Sequence, residues 1–496
     1  MVLKYNLFDQ PLVLKSDLAA EFPIYLYWNE NKSKLLFSKD LKSLLNVIRE
    51  KKPLEISYEG ISFLLQSGVI PPPKTIYKNL YILSVGCKAK IQTINNKIEV
   101  EFTFTYPFFN SKRLKNKGFI VDHNFILKMI AEATINRIDK SKQSFLFHSS
   151  GKDSNLIALA IAEAGLQDEF SLITYKSYGE KDESLISSKI AKKLGFKHLI
   201  LNEEKIFKRT FFNEIDQFFH NSPMPCTDNA VLSYPSFSCQ FPDLSQSNIV
   251  DGLGNDCYMG FLPTANEYKY FSLFNYTKNF HFIRSLINTE SIIPFLIRTP
   301  SEFFDIDGFS FKDTKSIFKE SINVFDYWNK ESIKRNNWDL IDFKGSILTS
   351  VVSEKHIRKV RNFADVYDSN LILPFNNQKV ANFFSMIPEK LMLERNPPKN
   401  KLILREILLN RINLDSDKLG KYGFAYDTHR FLTSNWNNVQ NEILNCSLWR
   451  INRTNKLLKR FQVSMNKYNK YSNFIANCIN RLYLISIWYN KNKYTN

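Results

Sequence analysis

Between Ser144 and Leu201 the sequence repeats a pattern that constrains the fold more than any other stretch of the chain. Ser144–Phe147 is a short apolar run, and Ser149–Asp153 is a polar turn holding one glycine. Asn155–Ala164 then places Leu156, Ile157, Ala160, Ile161 and Ala164 at helical spacing and stops at Gly165. Phe170–Thr174 is a second apolar run, Glu183–Leu194 a second helical pattern closed by Gly195, and His198–Leu201 a third run. Strand, helix, strand, helix, strand predicts an α/β fold with a parallel sheet, because parallel neighbours need a crossover and the crossover is usually a helix. Asn248–Asp251, running into Gly252-Leu253-Gly254, reads as a further strand end.

The first turn of this pattern is His148-Ser149-Ser150-Gly151-Lys152-Asp153-Ser154. Backbone N–H groups at a helix N-terminus, with the positive end of the helix dipole, attract an anion. Ser149, Ser150 and Ser154 add hydroxyl donors, Gly151 lets the backbone approach closely, and Asp153 can hold a magnesium ion that bridges phosphate oxygens. The pattern lacks the Gly-Lys-Ser/Thr ending of a Walker loop and is no Rossmann fingerprint. An ordinary βα turn with Ser and Asp as helix caps has a similar composition, so the strand–helix context carries the reading.

The flanks differ in style. Residues 1–105 read as a small β-rich unit. Pro23–Trp28 and Lys34–Ser38 form a predicted hairpin around Asn29–Ser33, Leu41, Leu44, Leu45 and Ile48 mark a helix over Asp40–Arg49, and Tyr81–Val85, Lys88–Thr93 and Ile98–Phe104 are predicted strands. From about Glu267 onward the chain reads as mostly helical. The 496 residues suggest about three units at roughly 150 residues each; we set them at 1–105, 106–435 and a helical extension, 436–496. The 44% hydrophobic content predicts a sizeable core, which the 42 Phe and 23 Tyr would fill.

An excess of 67 Lys+Arg over 49 Asp+Glu gives a net charge of +18, favouring acidic partners. Yet no basic run is interleaved with aromatics, so no nucleic-acid surface is expected. The densest basic stretch, Asn452–Lys470, reads as a solvated helix face. The six cysteines lack paired spacing and predict neither a zinc site nor a disulfide framework. Neither a signal peptide nor a stretch of about 18 uncharged apolar residues is found. A cytoplasmic location is the expectation.

Ser149-Ser-Gly-Lys-Asp-Ser154 resembles the Ser-Gly-Gly-x-Asp-Ser loop of the N-type ATP pyrophosphatases, and the wider chain resembles their asparagine synthetase branch. Asp182-Glu183 with Leu194-Gly195 and His198, Pro225-Cys-Thr-Asp228-Asn-Ala230, Asp251-Gly252-Leu-Gly254-Asn-Asp256, Leu373-Pro374-Phe375, Lys401-Leu-Ile-Leu404-Arg405 and Lys421-Tyr-Gly423-Phe424 are similar to successive elements of that family, in its order. The resemblance implies a PP-loop domain of the adenine-nucleotide α-hydrolase type with a largely helical C-terminal part. Its implied activity is an ATP-dependent ligase that adenylates a carboxylate, releases pyrophosphate and forms an amide. Ser149, Ser150, Gly151 and Ser154 would then cradle pyrophosphate. His148 and Thr174 would lie near the nucleoside, with Asp251 and Gly252 closing over it, and Asp153 and Asp256 would hold magnesium. Lys401 and Arg405 would stabilise the departing pyrophosphate and the oxyanion.

The resemblance also has gaps. Ile24–Ile91 is similar only to the latter part of the family's N-terminal-nucleophile glutaminase domain. Position 2 is Val, where the family has its nucleophilic cysteine, and the first cysteine is Cys87. No glutamine hydrolysis is expected, so the nitrogen would come from ammonia, from a separate amidotransferase or, as in the β-lactam synthetases and lasso-peptide cyclases that the family includes, from an amine of the substrate. Cys257 stands for a glutamate and Asn377 for an aspartate. Asn370 stands where the family has a glutamate associated with deprotonating the nucleophile, and an amide cannot serve as a base. Asp365, Tyr367 and Asp368 are the sequence neighbours that could replace it. The rival readings are a PP-loop enzyme acting on tRNA or a sugar, and a nucleotide-binding pseudoenzyme.

Overall fold

In the first hundred residues alternation decides the structure. Cys87, Ala89 and Ile91 are buried while Lys88 and Lys90 between them are exposed, which gives one strand face to a core and the other to water. The computed structural model describes residues 1–50, 54–115, 119–177, 182–203, 209–304, 306–419, 426–467 and 471–492. Strands β1 (Leu3–Tyr5), β2 (Leu12–Lys15), β3 (Ile24–Trp28), β4 (Leu35–Ser38), β5 (Leu80–Leu83), β6 (Cys87–Ile94) and β7 (Lys97–Phe104) form two antiparallel sheets, ordered β1-β4-β3-β5 and β2-β6-β7. Tyr5, Leu26, Leu35, Leu83 and Ile98 pack with the inward face of β6. The β3–β4 hairpin forms as predicted, with Trp28 opposite Leu35, and Asn29 Oδ1 accepting from the Ser33 and Lys34 amides.

Two helices accompany these sheets. Helix α1 (Leu41–Arg49) is capped by Asp40, which accepts from Ser43 N, and buries the four predicted residues Leu41, Leu44, Leu45 and Ile48. Helix α2 (Tyr58–Ser67) is capped by Ser57 and ends at Gly68 in the left-handed region, φ 70°.

After helix α3 (His123–Ile135), the middle of the chain builds the parallel sheet. Strands β8 (Ser144–Phe147), β9 (Phe170–Lys176), β10 (Lys197–Asn202), β11 (Asn248–Val250) and β12 (Asn370–Ile372) lie in the order β10-β9-β8-β11-β12, every pair parallel. Helices α4 (Lys152–Glu163) and α5 (Ser184–Leu194) are the predicted crossovers. Helix α4 starts at Lys152 rather than Asn155. Its apolar face, Leu156 to Ile161, is fully buried, and its first turn faces a cleft instead of the core. The strand order changes direction at β8, so the ends of β8 and β11 flank a crevice, the usual ligand position in such sheets.

Strand β12 was not predicted. Its three residues are too short to show a period, and Pro374 ends them at once. The remainder is mostly helical, as expected, with one short antiparallel pair, Leu393–Arg395 and Pro398–Asn400. The helix over Ile451–Met465 buries Leu457, Leu458, Phe461 and Met465 and turns its basic side outward. The final helix, Ser472–Lys491, runs through the largest core. Trp488 meets Tyr77 edge-on at 5.9 Å, and Arg481 Nη1 donates to Leu65 O at 3.1 Å and Asp307 O at 2.6 Å. N-terminal, sheet and C-terminal residues therefore share that core. No helix among the described residues is long and apolar enough to cross a membrane.

Candidate active site at the strand ends

A cleft of about 540 Å³ opens at the C-terminal ends of the parallel strands. His148, Ser149, Gly151, Asp153, Ser154, Thr174, Asp251, Gly252, Asp256, Lys401 and Arg405 line it. Of the predicted site residues, Ser150 alone is missing from the wall. Its amide donates to Glu183 Oε2 at 2.8 Å, so an internal carboxylate already holds that N–H.

The loop after β8 is held from within. Ser154 Oγ accepts from Ser149 N at 3.2 Å, Ser149 Oγ accepts from Gly151 N at 3.0 Å, and Asn155 Nδ2 donates to the carbonyls of Ser149 and Gly151. Helix α4 starts at Gly151 with no side-chain cap, which leaves its first-turn amides as donors for an anion. Gly252 brings the next loop against these amides. A Cβ there would meet Asp153 Cβ and Ser154 N, each at 3.2 Å. Because Asn155 Nδ2 is the donor above, its Oδ1 is an acceptor, and His148 Nε2, 3.0 Å away, carries the proton. His148 Nδ1 is then a bare acceptor. It is buried without a hydrogen-bond partner among the described residues, as expected of a site shaped for another molecule. Burial pushes His148 down to about 4, so the ring is neutral.

Lys401 ties three distant segments together. Its Nζ lies 2.7 Å from Asp153 Oδ2, 2.8 Å from Asp256 Oδ1 and 2.9 Å from Asn255 Oδ1, and Asn255 Nδ2 donates to Asp153 Oδ1 at 2.6 Å. Burial opposes the ammonium charge, but Asp153 and Asp256 more than offset this and hold it above its ordinary value. Lys401 is left-handed, φ 58°, at the start of the helix Leu402–Ile412. Such a non-glycine residue costs of order 1–3 kcal/mol and persists where its surroundings fix it. Arg405, one helical turn on, donates to Asn400 O at 2.8 Å and pairs with Asp417. Asp153 and Asp256, assigned to magnesium by resemblance, here share one ammonium. Two carboxylates suit magnesium when substrate phosphates complete its shell. No group of three or more His, Cys, Asp or Glu side chains able to hold a metal occurs among the described residues.

Asp251, at the end of β11, accepts from Leu253 N at 2.9 Å, and burial raises its carboxyl to about 6. Thr174 Oγ1 lies 2.9 Å from His198 Nε2, whose Nδ1 meets Ser188 Oγ at 3.0 Å. Phe147, Tyr234, Phe237 and Leu201 give the cleft an apolar wall.

Asp228, His356 and Lys359, also on the wall, were not singled out as site residues from sequence. Asp228 Oδ2 lies 3.1 Å from Lys359 Nζ and 3.9 Å from His356 Nε2. Burial opposes the Asp228 charge, yet Lys359, His356 and Lys355 hold its carboxyl below the ordinary range. His356 lies in a π-helical turn, Val352–Ile357, between two α-helical segments. Such turns recur at functional sites because the extra residue re-aims a side chain. The sequence signal was the basic cluster Lys355-His356-Ile-Arg358-Lys359; the π turn itself leaves no trace in composition.

The nucleophile-activating position expected near Pro374 is corrected. Asn370 stands at the N-terminal end of β12, opposite Asn248, and its amide donates to Arg137 O at 2.7 Å and Asn248 Oδ1 at 2.9 Å. That is the sheet edge away from the cleft. Asp365, Tyr367 and Asp368 are also off the cleft wall. Asp368 pairs with Lys42, Tyr367 bonds Ser238, and Asp365 is half-buried beside Arg358 and Arg361. Asn377 caps the helix Gln378–Met386 through Lys379 N. The Lys421–Phe424 segment lies outside the described residues.

No protein-family model matches the chain. A 145-residue stretch, 28% of the chain, is 25% identical to a Methanocaldococcus jannaschii protein described as "Putative asparagine synthetase [glutamine-hydrolyzing] 2". The aligned part spans about a quarter of that relative's length, 26%. The chain thus has a distant asparagine synthetase-like similarity, of a kind that suggests ligase-type chemistry in general.

Proposed function

We propose that this chain is an AMP-forming carbon–nitrogen ligase that adenylates a small-molecule or peptide carboxylate, releases pyrophosphate and forms an amide with ammonia or a substrate amine. The observation that carries this reading is the Lys401 cluster. Residues 153, 256 and 401, named separately from sequence, meet at one buried ammonium beside an uncapped helix N-terminus. The N–H groups of α4, with Ser149 and Ser154, suit the β- and γ-phosphates, and the apolar wall of Phe147 and Phe237 suits a purine. Lys401 and Arg405 supply fixed positive charge where pyrophosphate leaves. Magnesium, when bound through Asp153 and Asp256, would offset phosphate charge.

The N-terminal unit takes a supporting part in this reading. Tyr77 OH donates to Pro223 O at 3.0 Å and Thr227 Oγ1 donates to Gly68 O, so the unit buttresses the segment that carries Asp228. ATP–pyrophosphate exchange across a panel of amino-acid and dicarboxylate substrates tests the proposal. Exchange that needs one carboxylate and is lost in Asp153→Ala is the expected result. Exchange with none, or with undiminished rate in that variant, overturns it.

A further inference from the structure

The cleft holds more acceptors than the adenylation step uses, and most are already engaged. Asp153 and Asp256 share Lys401, Glu183 accepts from Ser150 N, Asp228 pairs with Lys359, and Asp251 accepts from the turn it begins. His356 differs. Its ring lines the cleft with 40% of its side chain accessible, and Asp228 Oδ2 lies 3.9 Å from its Nε2. That separation exceeds a hydrogen bond. Of the π turn Val352–Ile357, His356 is the residue that lines the cavity.

We propose that His356, backed by Asp228, is the catalytic base that accepts the proton of the attacking amine in the amide-forming step, a role that rests on the ligase reading above. The step balances as follows. The amine nitrogen bonds to the acyl carbon of the adenylate, the carbon–oxygen bond to phosphate breaks, AMP leaves with that electron pair, and the nitrogen's proton passes to the imidazole. Asp228 then faces an imidazolium and stabilises it.

The charges around the ring fit this order of events. Partial burial, Lys359 and Lys355 hold His356 below its ordinary value, while Asp228 and Asp256 pull the other way. The ring is therefore neutral and able to accept before substrate arrives. A bound polyanionic nucleotide offsets the two lysines and raises the ring's affinity for a proton when it is needed. The competing acceptor is Asp251, which serves as the control.

The test separates the two half-reactions in wild type, His356→Ala, His356→Asn and Asp251→Asn, with melting temperatures to confirm folding. ATP–pyrophosphate exchange reports adenylation. Ammonium chloride, glycinamide and hydroxylamine serve as nucleophiles, hydroxylamine being uncharged at neutral pH. Both His356 variants are expected to keep exchange within about threefold and lose amide formation with ammonia or glycinamide by roughly 10²–10⁴-fold. Hydroxamate formation should survive, and added imidazole should restore part of the lost rate in His356→Ala. Equal loss in both half-reactions, no loss in either, or a selective loss in Asp251→Asn instead would overturn the role of His356. So would wild-type enzyme that makes hydroxamate but no amide from either amine. Absence of exchange in wild type with every carboxylate would instead sink the ligase reading, and this inference with it.

Discussion

The two edges of the parallel sheet are built from similar residue types and satisfied in opposite ways. At the N-terminal edge, Asn248 and Asn370 face each other across β11 and β12. Their amides bond to each other and to the carbonyls of Arg137, Asp139 and Lys142, a closed neutral net. Asp368, two residues before Asn370, pairs with Lys42 in solvent, 65% and 49% exposed. At the C-terminal edge charges are buried. Lys401 is 4% exposed between two carboxylates, and Asp228 pairs with a Lys359 that is 9% exposed. Burying ions is expensive unless each is paired, so a fold concentrates them where chemistry uses them. The neutral edge holds the strands together; the charged edge is where work can be done on an anion.

The sharpest way to break this contrast is Lys401→Met. It leaves Asp153 and Asp256 facing each other without a cation, and unfolding by urea should show a loss of about 3–5 kcal/mol. The loss should shrink when Asp256→Asn is added, because the uncompensated charge is then halved. Pyrophosphate exchange should fall by roughly 10²–10³-fold. A Lys401→Met protein with wild-type stability would show that the buried cluster does not tie the three segments together.

Gly254 comes next. It takes φ 109°, and a Cβ there would lie 1.7 Å from Asn376 Oδ1. Asn376 also donates to Ala19 O at 2.8 Å, linking the strand-end loop to the N-terminal unit. Gly254→Ala therefore has to strain the backbone and displace that link, and should cost about 2–4 kcal/mol in denaturant unfolding. An unchanged midpoint would mean that the loop after β11 is free to reshape.

Much of the charged edge was legible because its parts are local. The loop after β8 follows an apolar run and opens a helix, so a few adjacent residues carry the signal. Asp153 and Lys401 could be named one at a time, but nothing in the spacing between them says that an ammonium sits between two carboxylates. Strand β12 escaped notice because Asn370–Ile372 is shorter than any period, so the sequence did not show at which end of the sheet Asn370 lies. His356 escaped because a π turn reads as ordinary helix until the backbone is seen.

Asp251→Asn sharpens the comparison through pH. Burial raises this carboxyl to about 6, so between about pH 4 and 6 the folded state binds more protons than the unfolded state. Stability from this group therefore falls as pH rises through that window, and the full penalty stands above it. Removing the charge should stabilise the protein by about 2 kcal/mol at pH 7 and by little below pH 4. Thermal melts of both proteins from pH 4 to 8 measure it. A difference that does not change with pH would remove Asp251 from the buried charges of this edge.

The smallest effect belongs to the neutral edge, and it bears on the resemblance itself. Asn370 lies three residues before Leu373 along an extended strand, or about 10 Å at 3.3 Å per residue. A side chain at position 370 bonds to the Arg137 carbonyl and cannot also reach an amine held at the far end of the strand. Asn370→Ala should cost about 1 kcal/mol for its lost hydrogen bonds and leave both exchange and amide formation at wild-type rates. Asn370→Glu restores the family's residue type and should gain no activity. Because it would place an unpaired carboxylate against Asn248 Oδ1 and the Arg137 carbonyl, a further loss of stability is expected instead. If Asn370→Glu accelerated amide formation, the strand register drawn from Asn248 opposite Asn370 would be wrong, and the base would belong beside Pro374 rather than at His356.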